Sequence, residues 1–193
     1  MTRRWLTAVV VAVVVVVAGA WALTRGLEFL MRPATEAHAP ATEPQQPSTV
    51  PHITATLFYT SEDGRYLVPV RREVPLAEGT VEQGKQIMLA QLEPATAPLV
   101  SAIPTGTTLR AFYVTDRGEA YVDLSPEAST MHPGGSAAEL LTVYAIVNAV
   151  TANLPAIMRV QILLDGKEVD TLAGHMDLRR PLQRNESLVQ PEG

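Results

Sequence analysis

From Trp5 to Thr24 the chain carries no charged residue, and Val9 to Val17 is unbroken valine apart from Ala12. A helical run of this length covers the ~30 Å hydrocarbon core of a bilayer. A buried helix of a water-soluble domain rarely extends so far without a polar residue. Residues 5–24 are therefore expected to be a transmembrane anchor, with residues 1–4 as a cytoplasmic flank. Arg3 and Arg4 precede the run, and Arg25, Glu28 and Arg32 follow it, so the charge bias predicts an N-in, C-out single pass through the cytoplasmic membrane. Trp5 and Trp21 stand near its two ends, at headgroup depth for an indole ring. A cleavable signal is the alternative, because Ala18-Gly19-Ala20 and Ala20-Trp21-Ala22 place small residues at the spacing a signal peptidase reads. Either way the remainder of the chain is expected in the periplasm or elsewhere outside the cytoplasm.

Pro33, Pro40, Pro44, Pro47 and Pro51 interrupt a stretch of Ala, Thr, Glu and Gln that cannot bury enough apolar surface to fold. Residues 25–52 are expected as an extended tether reaching up to ~60 Å at about 3.1 Å per residue. Residues 53–182 are the size of one ordinary domain, and 183–193 are expected as a disordered tail. Apolar residues make up 47% of the chain and aromatics only 5%, so the core must be aliphatic, with few surfaces for stacking bases. A net charge of −5 with no Lys/Arg cluster excludes a nucleic-acid footprint. With no cysteine, disulfides, thiolate metal sites and a Cys nucleophile are excluded, as is a lipidated-Cys anchor.

Within the domain, Ile53, Ala55, Leu57 and Tyr59 alternate with polar and aromatic residues and predict a strand. Ser61-Glu62-Asp63-Gly64 supplies a turn, and Tyr66 to Val70 a second strand, placed at an edge by Pro69. Thr80 to Leu92 has a helical period ended by Pro94. Leu109 to Tyr113 and Ala120 to Leu124 predict a hairpin around Asp116-Arg117-Gly118. Ser136 and Glu139 have the spacing of a capping box opening a second helix, which runs from Ala137 to about Asn153 before Pro155. Met158 to Leu164 then leads through Asp165-Gly166, a pair suited to a type I′ turn, into a returning strand over Lys167 to Leu172. The expected fold is α+β, in ββαββαββ order, with two helices packed on one face of a mixed or antiparallel sheet.

Four stretches carry a family resemblance: Thr56-Leu57-Phe58-Tyr59 with Gly64-Arg65-Tyr66-Leu67-Val68-Pro69; Ser101-Ala102-Ile103-Pro104-Thr105-Gly106-Thr107; Ala120-Tyr121-Val122-Asp123-Leu124-Ser125; and Val160-Gln161-Ile162-Leu163-Leu164-Asp165-Gly166. In order and spacing, residues 53–182 resemble the GerMN domain family of sporulation and spore germination proteins. The sequence departs from it at Leu92-Glu93-Pro94, where members often have Gly before the Pro. The resemblance implies a membrane-tethered extracytoplasmic domain, related in architecture to ring-building modules, with no established enzymatic activity.

The residues themselves advertise little chemistry. His38, His52, His132 and His175 include no closely spaced pair, so no metal site is expected, nor any cofactor. Asp123, Ser125 and His132 could form a hydrolytic triad, but no Gly-x-Ser-x-Gly elbow accompanies them. Gly134-Gly135-Ser136 could present helix amides to an anion, were Glu139 not there to repel it. Arg71-Arg72 and Arg179-Arg180 read as solvated surface, or as contacts for anionic lipid or wall polymer. The expectation is a non-enzymatic binding or assembly module of the cell envelope. Its partners would be the membrane through residues 5–24, an envelope protein or cell-wall component, and a second copy of the chain. An exported cell-wall hydrolase is the alternative. The candidate partner surface is the outer face of the first helix, formed by Glu82, Gln83, Lys85 and Gln86 beside the Pro69 edge strand.

Overall fold

The structure is a computed structural model and describes residues 50–191. The anchor expected at 5–24, its flank and the linker up to residue 49 lie outside these residues. Among the described residues no helix is long and apolar enough to cross a membrane.

β1 (His52–Thr60) and β2 (Leu67–Pro75) form an antiparallel hairpin in continuous register from His52↔Pro75 to Thr60↔Leu67. The Ser61 hydroxyl shapes its turn by accepting the Arg65 and Tyr66 amides. Helix α1 (Gly79–Leu92) follows, then β3 (Leu109–Val114) and β4 (Glu119–Leu124), the one-turn α2 (Glu127–Thr130), and the long α3 (Ser136–Asn153). The chain continues through β5 (Arg159–Leu164), the two-residue strands β6 (Lys167–Glu168) and β7 (Leu182–Gln183), and a 3₁₀ turn at Glu186–Leu188.

The class is α+β as expected, but the sheet is divided. β3, β4, β5 and β6 make one mixed sheet, to which β7 adds on β5, while β1–β2 stands as a separate hairpin. β4 and β5 are parallel, and parallel neighbours need a long crossover, which here carries α2 and α3. The strand expected over 167–172 shrinks to Lys167–Glu168, because Asp165 and Gly166, both at positive φ, close a tight hairpin that pairs only Leu163 and Leu164.

α1 and α3 stand between hairpin and sheet, and each touches both. That position explains α3, which buries Leu141 to Val143 and Ala145 to Val150, nearly its whole circumference. α1 comes so close to β3 that a Cβ on Gly84 would lie 2.3 Å from the Phe112 ring. The hairpin meets the helices through its free edge rather than through another strand. Gln91 at the end of α1 accepts the Phe58 amide (2.9 Å) and donates to the Phe58 carbonyl (2.7 Å). Asn153 at the end of α3 does the same for Thr56 (2.8 and 2.7 Å). Each side-chain amide thus supplies one donor and one acceptor, as a residue of a neighbouring strand would.

The tail expected to be disordered is docked as far as Gln190. β7 pairs with β5, Asn148 of α3 exchanges two hydrogen bonds with the Asn185 backbone, and the Gln190 amide donates to the Leu67 carbonyl. These bonds satisfy the buried Asn148 amide and cover part of the outer edge of β2.

Candidate functional site

On α1, Glu82 and Lys85 lie at the surface, and the Lys85 ammonium donates to the Glu82 carboxylate at 2.6 Å. Gln86 is half-buried beside them, and Leu89, one turn on, is 49% exposed. Gln83 does not belong to this face, which corrects the expected surface. It is buried, accepting the Ala77 amide at 2.9 Å and donating to the Pro75 carbonyl at 3.2 Å, and so ties the β2–α1 loop to its helix. At the adjoining end of the helix Arg72 reaches from β2 to Glu93 (3.0 Å) and lies over the Tyr59 ring. Pro69 and Pro75 remove two amides from the outer side of β2, which blunts the edge against strand addition. An open groove of about 600 Å³ runs between the hairpin face that carries Thr56, Phe58, Pro69 and Arg71 and the docked tail, with Arg184 on its far wall.

The candidate triad is not assembled. Asp123 is buried and accepts the Gly166 amide (2.8 Å) while facing Arg110 (3.4 Å), so it fastens the β5–β6 turn. Arg110 gets there because the β3–β4 register shifts beside it. Ser125 accepts the Thr108 amide at 3.0 Å. His132 pairs with Thr142, its Nε2 lying 3.0 Å from the Thr142 hydroxyl. Three side chains close in sequence are thus engaged with three different segments. Among the described residues no group of three or more His, Asp or Glu could hold a metal ion.

Glu139 departs most from its expected role. Helix α3 starts after Gly135 with no side-chain cap, so Ser136 and Glu139 do not form a capping box. Glu139 is fully buried and accepts the amides of Leu172 (2.9 Å), Ala173 (2.8 Å) and His175 (2.8 Å), with the His175 ring at 3.1 Å. Burial alone would raise its pKa, but the converging amides outweigh burial and hold it below the usual carboxylate value. The signal in the sequence is charge: Glu139 is the only charged residue of this helix. The anion-binding reading of Gly134-Gly135-Ser136 gains nothing here. Of the basic pairs, Arg72 is held by Glu93 and Arg179 grips Asp177 through two nitrogens, lowering the Asp177 pKa.

This arrangement of a β-hairpin, two helices and a small mixed sheet has solved counterparts. One is a candidate lipoprotein from Clostridium perfringens, 22% identical, with a TM-score of 0.50 over 74% of this chain and 95% of that one. Another is the first GerMN domain of the sporulation protein GerM from Bacillus subtilis, at 18% identity and TM-score 0.53, covering 68% and 98% of the two chains. The tandem GerMN domains of the same protein give 16% and 0.54, covering 69% of this chain and 46% of that one. At such identities the likeness is one of fold, and it defines a GerMN-type α+β domain. A search of curated proteins found no match. The sequence model of the Germane family, described as sporulation and spore germination, matches residues 56–170, more than half of the chain. The chain belongs to the Germane family.

Proposed function

We propose that this protein is a membrane-tethered binding or assembly module of the cell envelope, with its folded domain outside the cytoplasm, and that it is not an enzyme. The observation that carries this reading is the family match over 56–170, on a domain whose candidate catalytic groups are each tied to a different structural partner. The charge-free run at 5–24 supports the tether, and the Pro-rich stretch after it supports a domain held away from the membrane. The Clostridium perfringens neighbour is described as a candidate lipoprotein. This sequence has no cysteine to carry a lipid, so attachment here would fall to residues 5–24.

The partner surface in this reading is the outer face of α1, now Glu82, Lys85, Gln86 and Leu89. The exposed leucine adds apolar area at one end of the polar patch, and contact surfaces combine the two. The occupant is an envelope protein, a wall component or a second copy of the chain. The test is photocrosslinking in cells from position 89 of the full chain. Discrete adducts should form, and they should weaken in the double variant Glu82→Lys, Lys85→Glu, which should fold as well as wild type because an exposed i,i+3 pair contributes only ~0.3–0.5 kcal/mol. Adducts unchanged in that variant would remove α1 as the contact. Wall-degrading activity of the purified chain that is lost in Ser125→Ala would favour the hydrolase.

A further inference from the structure

We propose that His132 is a proton-operated latch on the loop that opens α3: neutral, it ties the turn down through two hydrogen bonds of opposite sense, and protonated it cannot keep both. The two bonds define the ring's state. Nδ1 accepts the Gly134 amide at 3.0 Å, so Nδ1 carries no proton. Nε2 faces the Thr142 hydroxyl, which already donates its single hydrogen to the Ala102 carbonyl at 2.6 Å or the Ala138 carbonyl at 3.0 Å. Towards the histidine that oxygen can only accept, so Nε2 donates. Both demands are met by one form, the neutral Nε2–H tautomer. Adding a proton at Nδ1 sets an N–H against the Gly134 N–H, and the turn loses its anchor.

Gly134 and Gly135 both have positive φ, a conformation open to glycine and therefore easily left. The Thr142 hydroxyl joins three segments, namely the loop at Ala102, α3 and the His132 turn, so the latch holds more than its own residue. Pro133, Ala102, Leu141 and Thr142 also line a shallow hollow of about 370 Å³, one wall of which is the latched turn. The charged and titratable groups facing the ring are Glu139 from α3, which favours the imidazolium, and His175 from the loop packed on Glu139, which opposes it. Burial is the largest influence and disfavours the charged ring, so the net shift is downward from 6.5.

The sign follows. A histidine whose pKa is lower folded than unfolded supports the fold above the unfolded value, and that support is lost as pH falls through the folded one. The test uses the full chain in detergent micelles, labelled with ¹⁵N in histidine and glycine and titrated from about pH 7.5 to about pH 5, the range in which imidazole changes charge. At the upper end Nδ1 should show the shift of an unprotonated ring nitrogen. On acidification the His132 ring should titrate below 6.5, and the Gly134 amide should move in the same titration, with its exchange protection falling about tenfold after correction for intrinsic rates. In His132→Asn the side-chain oxygen takes over the acceptor role towards the amide two residues on and cannot titrate in this range. There the Gly134 amide should stay constant. A protonated Nδ1 at neutral pH, a Gly134 amide indifferent to the ring, or a Gly134 titration surviving in His132→Asn would each overturn the latch. The wild-type titration decides even if the variant does not fold.

Discussion

Glu139 and Gln83 both leave the places that residue type and spacing predict for them, and for the same reason. A polar side chain goes where unpaired backbone needs it. The Leu172–His175 loop presents several amides at one point, and Glu139 is the carboxylate that meets them, 33 to 36 residues away in sequence. Pro75 and Ala77 likewise need a partner, and Gln83 turns back to them. Neither demand can be seen in a local window. In Glu139→Gln the carboxamide nitrogen would face at least one backbone amide that donates to the wild-type carboxylate, so stability should fall by about 2–4 kcal/mol, measured by thermal or urea unfolding. The wild-type profile carries a sign too. Because the Glu139 pKa is depressed in the fold, its contribution is complete above the ordinary carboxylate range of about 4.3 and is lost as pH falls below it. Acid unfolding should therefore be shallower in Glu139→Gln than in wild type.

Elements were more legible than residues. Both hairpins, both long helices and the closing Asp165-Gly166 turn follow from period and turn chemistry, which are local. The division into hairpin and sheet was not, because it depends on what lies along the free edge of β1, and two side-chain amides there do the work of a strand. Replacing Gln91 with Ala would strand the Phe58 amide and carbonyl in the core, at a cost of about 1–3 kcal/mol. Hydrogen exchange should show the loss first at Phe58 and Thr56, before the five-stranded sheet. Alanine in place of Gly84 would improve helix propensity by ~1 kcal/mol, yet its methyl would meet the Phe112 ring, which is itself buried. Gly84→Ala should therefore be net destabilising by about 1–2 kcal/mol. The double variant Gly84→Ala, Phe112→Leu should recover part of that loss, a coupling that urea unfolding of the two singles and the double would reveal.

For the chain as a whole, the family match places residues 56–170 among GerMN-type domains, while the anchor expected at 5–24 lies outside the described residues. Residues 183–191 have no periodicity to read, and they are ordered because Asn148, Leu67 and β5 each offer an unpaired group along their path. Removing residues 183–193 should therefore lower stability rather than leave it unchanged, as a shift of the unfolding midpoint would show. The proposed function requires the domain to stand outside the cytoplasm, and one topology measurement addresses that directly. A phosphatase active only outside the cytoplasm, fused after Gly193 of the full chain, should be active in intact cells and inactive when residues 5–24 are deleted. Activity confined to a reporter that works only in the cytoplasm would contradict it.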